Sequence, residues 1–347
     1  MTNISSKRTL SAFSALAAAS VLAVSSLLSA SCTKDDSSFG APSKENFSEM
    51  RTPLTVGISG KATKSTTISS DDEVAVNTLQ VLVFRGDDLD AYGKVSSQSS
   101  ITLSCTAGER TVYAFVNTPD LNDISSKTAL LEEVSLLSEN SSASFQMAGS
   151  TSVTLPSAST VNIEVDRMAS RVSVKKITRN FTSAALSSLP FSVDAIYTVN
   201  VAGDISFAGA LGGEYSPSVW HNKMAYTSSL SDFTYDSVDE TIAQGSSYST
   251  VHNFYCYPNP TLEDASEGSW SERHTRLVIE TTLGGRKYYY PITLPVMLPN
   301  RSYEISEVTI TRPGSDDPDT PVSFSDCSFE ITVQPWTTVP VTEGTSI

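Results

Sequence analysis

Three histidines, His221, His252 and His274, are the first candidates for acid–base or metal chemistry, and their spacing fits no metal motif. Each reads as a loop or surface residue. Acidic pairs such as Asp87-Asp88 and Asp239-Glu240 fall in polar turns. A glycosidase would instead hold two carboxylates on strand ends facing a cleft. Asp316, Asp317 and Asp319 offer the oxygen ligands that calcium takes. They lie in Arg312–Pro321, RPGSDDPDTP, whose prolines and glycine read as an extended, solvated tether. The chain has no G-x-S-x-G elbow, phosphate loop or dinucleotide fingerprint. These residue types single out no catalytic residue, no metal site and no cofactor.

Chemistry of another kind is written near the N-terminus. Lys7 and Arg8 precede the apolar run Leu10–Leu28, and Leu28-Ser29-Ala30-Ser31 brings small residues up to Cys32. That order predicts a lipoprotein signal peptide over 1–31 and acylation of Cys32. It resembles a bacterial lipobox, with Leu28 one place early and Ser29 in its slot. A transmembrane anchor is the rival reading of so long an apolar run. Thr33-Lys34-Asp35-Asp36 resembles the Lys-acid-acid surface-export tag of Bacteroidota lipoproteins. Each methylene buried in a membrane contributes ~0.8 kcal/mol, so several acyl chains anchor firmly. Cys105, Cys256 and Cys327 remain; an odd number cannot pair fully within one chain. They read as small buried apolar residues, with one disulfide left open.

Many Ser and Thr and short Val/Ile/Tyr/Phe runs make this an all-β composition, and 347 residues suffice for two domains. A net charge of −15 argues against nucleic acid as a partner. Leu54, Val56 and Ile58 alternate in a short strand, followed by a polar loop that exposes Lys61 and Lys64. Leu79–Phe84 reads as a buried strand. Ile101–Cys105 and Thr111–Val116 read as strands paired around an Ala107-Gly108 turn. Ser126 is positioned to cap a short helix with Leu130, Val134 and Leu137 on one face. Further strands are expected at 144–147, 152–155, 161–165, 172–177, 191–201, 277–282, 287–294 and 303–310. The second domain is placed to begin at Asp166. Residues 202–275 read as loop-rich, and Trp220, Tyr226, Tyr235, Tyr248 and Trp270 there read as loop pins or, alternatively, as a ligand surface.

The last stretch, CSFEITVQPWTTVPV, puts Cys327, Phe329, Ile331 and Val333 on one face, and Val339 and Val341 resume the phase. Such a strand either completes its own sheet or serves the sheet of a neighbour.

Several of these pieces, in order, resemble the major fimbrillin family, the type V pilins of Bacteroidota. They are Cys105-Thr106-Ala107-Gly108-Glu109-Arg110-Thr111 running on to Asn117-Thr118, the short helix, Arg167-Met168-Ala169, Arg312-Pro313-Gly314, and Ile331-Thr332-Val333-Gln334-Pro335-Trp336. The resemblance implies two tandem β-sandwich domains (Greek-key, transthyretin-like) with a C-terminal donor strand. It implies a lipidated propeptide over 32–64, an N-terminal domain over 65–165, a C-terminal domain over 166–311, and tether plus donor over 312–347. It further implies a shaft subunit without enzymatic activity, carried to the outer membrane by its lipid. A trypsin-like protease would cut after Lys64 and release Leu54, Val56 and Ile58. The groove would then take Phe329, Ile331, Val333, Trp336, Val339 and Val341 from another subunit. The family often has arginine where Lys64 stands, so a broader trypsin-like cleavage is expected. The implied partners are further copies, anchor and tip subunits, and a host receptor or glycan. The alternatives are a tip or anchor subunit, a surface lipoprotein that binds glycans through Trp220 and Trp270, and an enzyme with an unrecognised carboxylate pair.

Overall fold

The computed structural model describes residues 51–60, 71–264, 269–323 and 326–336. Cys32, Lys61, Lys64, Val339 and Val341 lie outside the described residues, as does the expected signal peptide. The chain is all-β, with a few helical turns.

The first half contributes β1 (Arg51–Gly60), β2 (Thr78–Arg85), β3 (Asp88–Ser96), β4 (Ser100–Thr106), β5 (Gly108–Val116), β6 (Val134–Leu136), β7 (Met147–Leu155) and β8 (Thr160–Arg167). The larger strands join in the order β3-β2-β5-β7-β8-β1-β4. β8 passes between two groups: Met147 and Ala148 of β7 meet its C-terminal end, while β1 pairs with the rest. Leu54 and Val56 of β1 pack in one buried cluster with Leu79, Val81 and Val83 of β2 and Leu103 of β4. Leu82 and Phe84 point the other way, into a second cluster. Both faces of β2 are therefore covered, which explains its nearly unbroken apolar run.

β4 and β5 do not form the expected hairpin. β4 pairs with β1, and β5 pairs with β2 and β7. The chain crosses between layers at Ala107, with Gly108 at φ +109°, a conformation that suits glycine. The buried Arg110 replaces the missing ladder: it donates to the carbonyls of Ala107 (2.7 Å) and Glu109 (2.6 Å), to Thr106 Oγ1, and to Asp90 (2.8 Å). Burial opposes the Asp90 charge. The Arg110 guanidinium and the Thr106 amide outweigh it and hold that carboxyl below its ordinary value.

Asn117 ends β5 at φ +58°, where asparagine is tolerated. Its side chain accepts from Asn77 N (2.9 Å) and donates to the carbonyls of Ala75 (2.8 Å) and Phe145 (3.0 Å), tying three stretches together. Ser126 caps α1 (Lys127–Glu132) by accepting from Ala129 N at 3.1 Å, as expected. Leu130 is buried, but Val134 has left the helix for β6 and is 49% exposed. The strand expected at 152–155 is the end of the longer β7, whereas of the one expected at 144–147 only Met147 joins it.

The second half adds β9 (Ser170–Val174), β10 (Ile177–Arg179), β11 (Phe191–Val199), β12 (Val201–Ala202), β13 (Asp204–Ser206) and β14 (Trp220–His221). It continues with β15 (Tyr235–Thr241), β16 (Ser247–Tyr248), β17 (His252–Cys256), β18 (Arg276–Leu283), β19 (Arg286–Thr293), β20 (Arg301–Ile310) and β21 (Cys327–Pro335). One sheet runs β16-β10-β20-β9-β17 with β21 added on β20; another runs β15-β11-β18-β19. The stretch 202–275 thus carries real strands, β15 and β17 among them, whose mixed polar sequences hide them. The larger apolar cluster draws residues from both halves, with Phe115 stacked on Phe207 at 4.4 Å, and β6 pairs with β13.

The solvated tether is a correction. Residues 312–321 are docked: Ser315 and Tyr289 exchange two backbone hydrogen bonds of 2.8 Å. A Cβ on Gly314 would come within 2.1 Å of Tyr289 O. Asp319 is buried between Arg273 (2.6 Å) and Arg276 and accepts from Asn200 Nδ2 at 2.7 Å. Two guanidiniums inside the fold need a counter-charge, and Asp319 supplies it. That also removes it as a calcium ligand. Among the described residues no group of three His, Cys, Asp or Glu is placed to hold a metal ion. Asp319→Ala should cost about 3–5 kcal/mol in urea unfolding, because it strands the buried Arg273 and leaves the buried Arg276 with only the more exposed Asp264 (2.7 Å). Asp316→Ala, which removes the exposed pair with Arg286 (2.8 Å), should change stability by under about 1 kcal/mol.

Candidate functional site

β1 occupies an interior slot, antiparallel to β4 and parallel to β8. Leu54 lies opposite Leu103, Val56 opposite Ile101 and Val161, and Ile58 opposite Ile163. Leu54 and Val56 have no exposed surface and Ile58 is half-buried, so the three expected residues do line one inward face. Burying Leu54 and Val56 contributes about 1.5–3 kcal/mol each. Thr55 N–H donates to Ser159 O on the β8 side at 2.9 Å. By the alternation of a strand, Pro53 faces the same way, but the β8 ladder begins only at Thr55, so its missing N–H forfeits no bond. On the outer face, Thr55 meets Thr102 (2.9 Å) and Asn162 donates to Ser59 (2.9 Å). Drawn out of this slot, β1 would leave an apolar trough and two unpaired strand edges.

β21 lies antiparallel along β20 from the Cys327–Ile310 pair to the Pro335–Arg301 pair. Cys327 is buried, Phe329 and Ile331 are half-buried against the larger cluster, and Val333 is 48% exposed. Ser328, Glu330 and Thr332 face solvent. Among the described residues β21 pairs with β20 alone. In this chain, then, the alternating face of the terminal strand is only partly covered.

Trp336 differs from that row. It is 1% exposed, packed edge-on to Phe145 (5.2 Å) and stacked on Tyr255 (5.6 Å). Arg167 sits 4.4 Å from its ring centroid and Arg171 5.4 Å. The indole N–H donates to Glu73 Oε2 at 3.1 Å. That buried carboxylate also accepts from Arg171 (3.0 Å) and from the Tyr255 hydroxyl (2.7 Å). Arg167 Nε donates to the Glu73 carbonyl (2.9 Å), and its Nη1 to the Trp336 carbonyl (3.1 Å). Burial pulls Arg167 down to about 10, so it stays charged at neutral pH. Sequence reading missed Glu73, Arg171 and Tyr255, since nothing local marks an acid whose partners lie so far along the chain.

The three remaining cysteines are buried and unpaired. Burial pushes the Cys105 thiol up to about 11 and those of Cys256 and Cys327 up to about 12, so all stay protonated and inert. His252, expected in a loop, is a buried strand residue held between Asp236 (2.8 Å) and the Tyr248 hydroxyl (2.9 Å), linking β15, β16 and β17. Trp220 and Trp270 do meet, edge to face at 5.6 Å, but Lys223 and Arg273 lie over Trp270 at 5.1 and 5.3 Å. Trp220 also donates to Pro217 O at 3.3 Å. The pair pins the loop that carries Trp270 against β14.

The chain thus holds an interior first strand in one sheet and a half-covered terminal strand in another. Residues 52–181 match the family of the major fimbrial subunit protein, FimA. The FimA match begins in β1, runs through the first half to just past β10, and stops well before β21. Among solved structures, a candidate cell adhesion protein from Bacteroides eggerthii superposes with a TM-score of 0.65 at 20% identity, covering 82% of this chain and 96% of that one. A fimbrilin (fimA) from Porphyromonas gingivalis W83 gives 0.59 at 17% identity, covering 83% and 98%. The tip fimbrial protein Mfa3 of Porphyromonas gingivalis, truncated at its C-terminus, gives 0.51 at 13% identity, covering 82% and 100%. At such identities the likeness is one of fold. No curated protein matches the sequence.

Proposed function

We propose that this chain is a structural subunit of a surface fimbria, a shaft pilin that polymerises by strand exchange. Its two halves, over 65–165 and 166–311, are read as tandem β-sandwiches, with 312–347 carrying a docked connecting segment and the donor strand. Lipid on Cys32 carries the precursor to the outer membrane. Cleavage after Lys64 by a trypsin-like protease frees β1, and the vacated slot between β8 and β4 takes the Phe329, Ile331, Val333 face of another copy. Val339 and Val341 extend that face, and the fibre acquires tip and anchor subunits and a host receptor or glycan as partners.

The observation that carries this reading is β1 itself. It is an interior strand, yet its core hold rests on Leu54, Val56 and the half-buried Ile58. A donor offering Phe329, Ile331 and Val333 buries more apolar surface, at about 1.5–3 kcal/mol per fully buried side chain, so exchange runs downhill. β21 favours a shaft over a tip, because a tip has no copy beyond it to serve.

Protein sheared from cells should begin at Ser65. Lys61→Gln with Lys64→Gln should leave a folded precursor whose polymerisation drops at least about tenfold, read by electron microscopy and size exclusion. Fibres whose subunits begin before Leu54 would end the proposal, because the slot would never have emptied.

A further inference from the structure

The seam between the first strand and the terminal strand is Glu73. Its one-turn helix, Asp71–Val74, connects toward β1 on one side and β2 on the other. Its side chain crosses into the second half and takes the indole N–H of Trp336, the residue directly after β21. Two guanidiniums press on that indole, and Glu73 is the carboxylate that Arg171 pairs with there. The backbone of Trp336 is held as well, donating to Asn300 O at 2.9 Å.

We infer that Glu73 is a lock on the terminal strand, and that the cut which frees β1 also opens this lock. The inference rests on the strand-exchange reading. In the intact precursor Glu73 is held from both sides, by the β1 ladder and by the start of β2. Hydrolysis of the Lys64–Ser65 amide, with water supplying the new carboxylate and ammonium, leaves it held from one side only. The closed segment between Gly60 and Glu73 becomes a free end, and the gain in chain freedom favours fraying of the single helical turn.

Once Glu73 leaves, Arg171 and the Trp336 N–H sit in a buried site without their acceptor, an arrangement that admits water rather than staying dry. β21 then keeps its ladder on β20, the buried Cys327 at its start and two half-buried side chains, while the end at Trp336 has lost the acceptor of its indole N–H. Before the cut, the same contact stops a precursor from offering its strand to another. One proteolytic event would thus empty the slot and release the donor together.

Hydrogen–deuterium exchange on the monomer tests this in four samples. They are the uncut precursor, the same protein after trypsin-like cleavage, and uncut Glu73→Gln and Trp336→Phe. Exchange over Cys327–Trp336 should be about tenfold faster or more in the last three, with β18 and β19 unchanged. Trp336→Phe keeps an aromatic ring at this place while removing the N–H and the five-membered part of the indole, so it stands in if Glu73→Gln does not fold. Unchanged exchange over Cys327–Trp336 overturns the lock. So does acceleration spread evenly over all strands, which marks a purely structural contact. No step of this measurement uses polymerisation. Failure of strand exchange would appear separately, as cleaved protein that opens at β21 yet builds no fibre.

Discussion

Val56→Asp is expected to let the uncut precursor polymerise. Val56 has no exposed surface and is flanked by Ile101 and Val161. An unpaired carboxylate there costs several kcal/mol, about as much as the remaining core contacts of β1 contribute. The strand should leave its slot without the protease, and fibres should form at a rate at least about tenfold above the uncut wild type. Thr55→Asp, on the outer face, should stay monomeric until cleaved. The pH dependence has a definite sign. Burial raises the pKa of the introduced carboxylate, so the strand-in state is penalised above the ordinary aspartate value of about 3.9. Acid relieves that penalty, and self-assembly of the variant should slow as pH falls through this range. A protein with Val56→Asp and Glu73→Gln together, so that the terminal strand is also unlocked, that remains a cleavage-dependent monomer at neutral pH would show that β1 is not the displaced strand.

The second large effect is expected at the other end. Ile331→Asp should reduce polymerisation of cleaved protein by about a hundredfold or more, while the monomer loses only about 1–2 kcal/mol. The difference follows from burial. Ile331 is half-buried against its own subunit, whereas the slot it would enter buries Leu54 and Val56 completely. Thr332→Asp, facing solvent, should alter neither by much. Chemical denaturation and electron microscopy separate the two readouts. If the monomer instead lost as much stability as a core substitution costs, β21 would be needed for the fold of its own subunit and strand donation would lose its support.

The sequence by itself determined the strands whose faces are unequal. Alternation at Leu54, Val56 and Ile58, and at Cys327, Phe329 and Ile331, reports that one face is buried, because successive side chains point to opposite sides. The Ser126 cap was equally legible, being a local bond between residues three apart. Periodicity does not say which strand covers that face, or which strand lies alongside. So the β4–β5 corner looks like a hairpin until Arg110 and Asp90 are seen filling the turn. Polar residues carry still less, since an aspartate in a proline-rich stretch reads as solvated whether or not an arginine waits for it. Asp319 finds Arg273 from 46 positions away, and Glu73 finds Trp336 from 263. Only the folded chain brings such groups together, because burying a charge requires a partner whose position the whole fold decides.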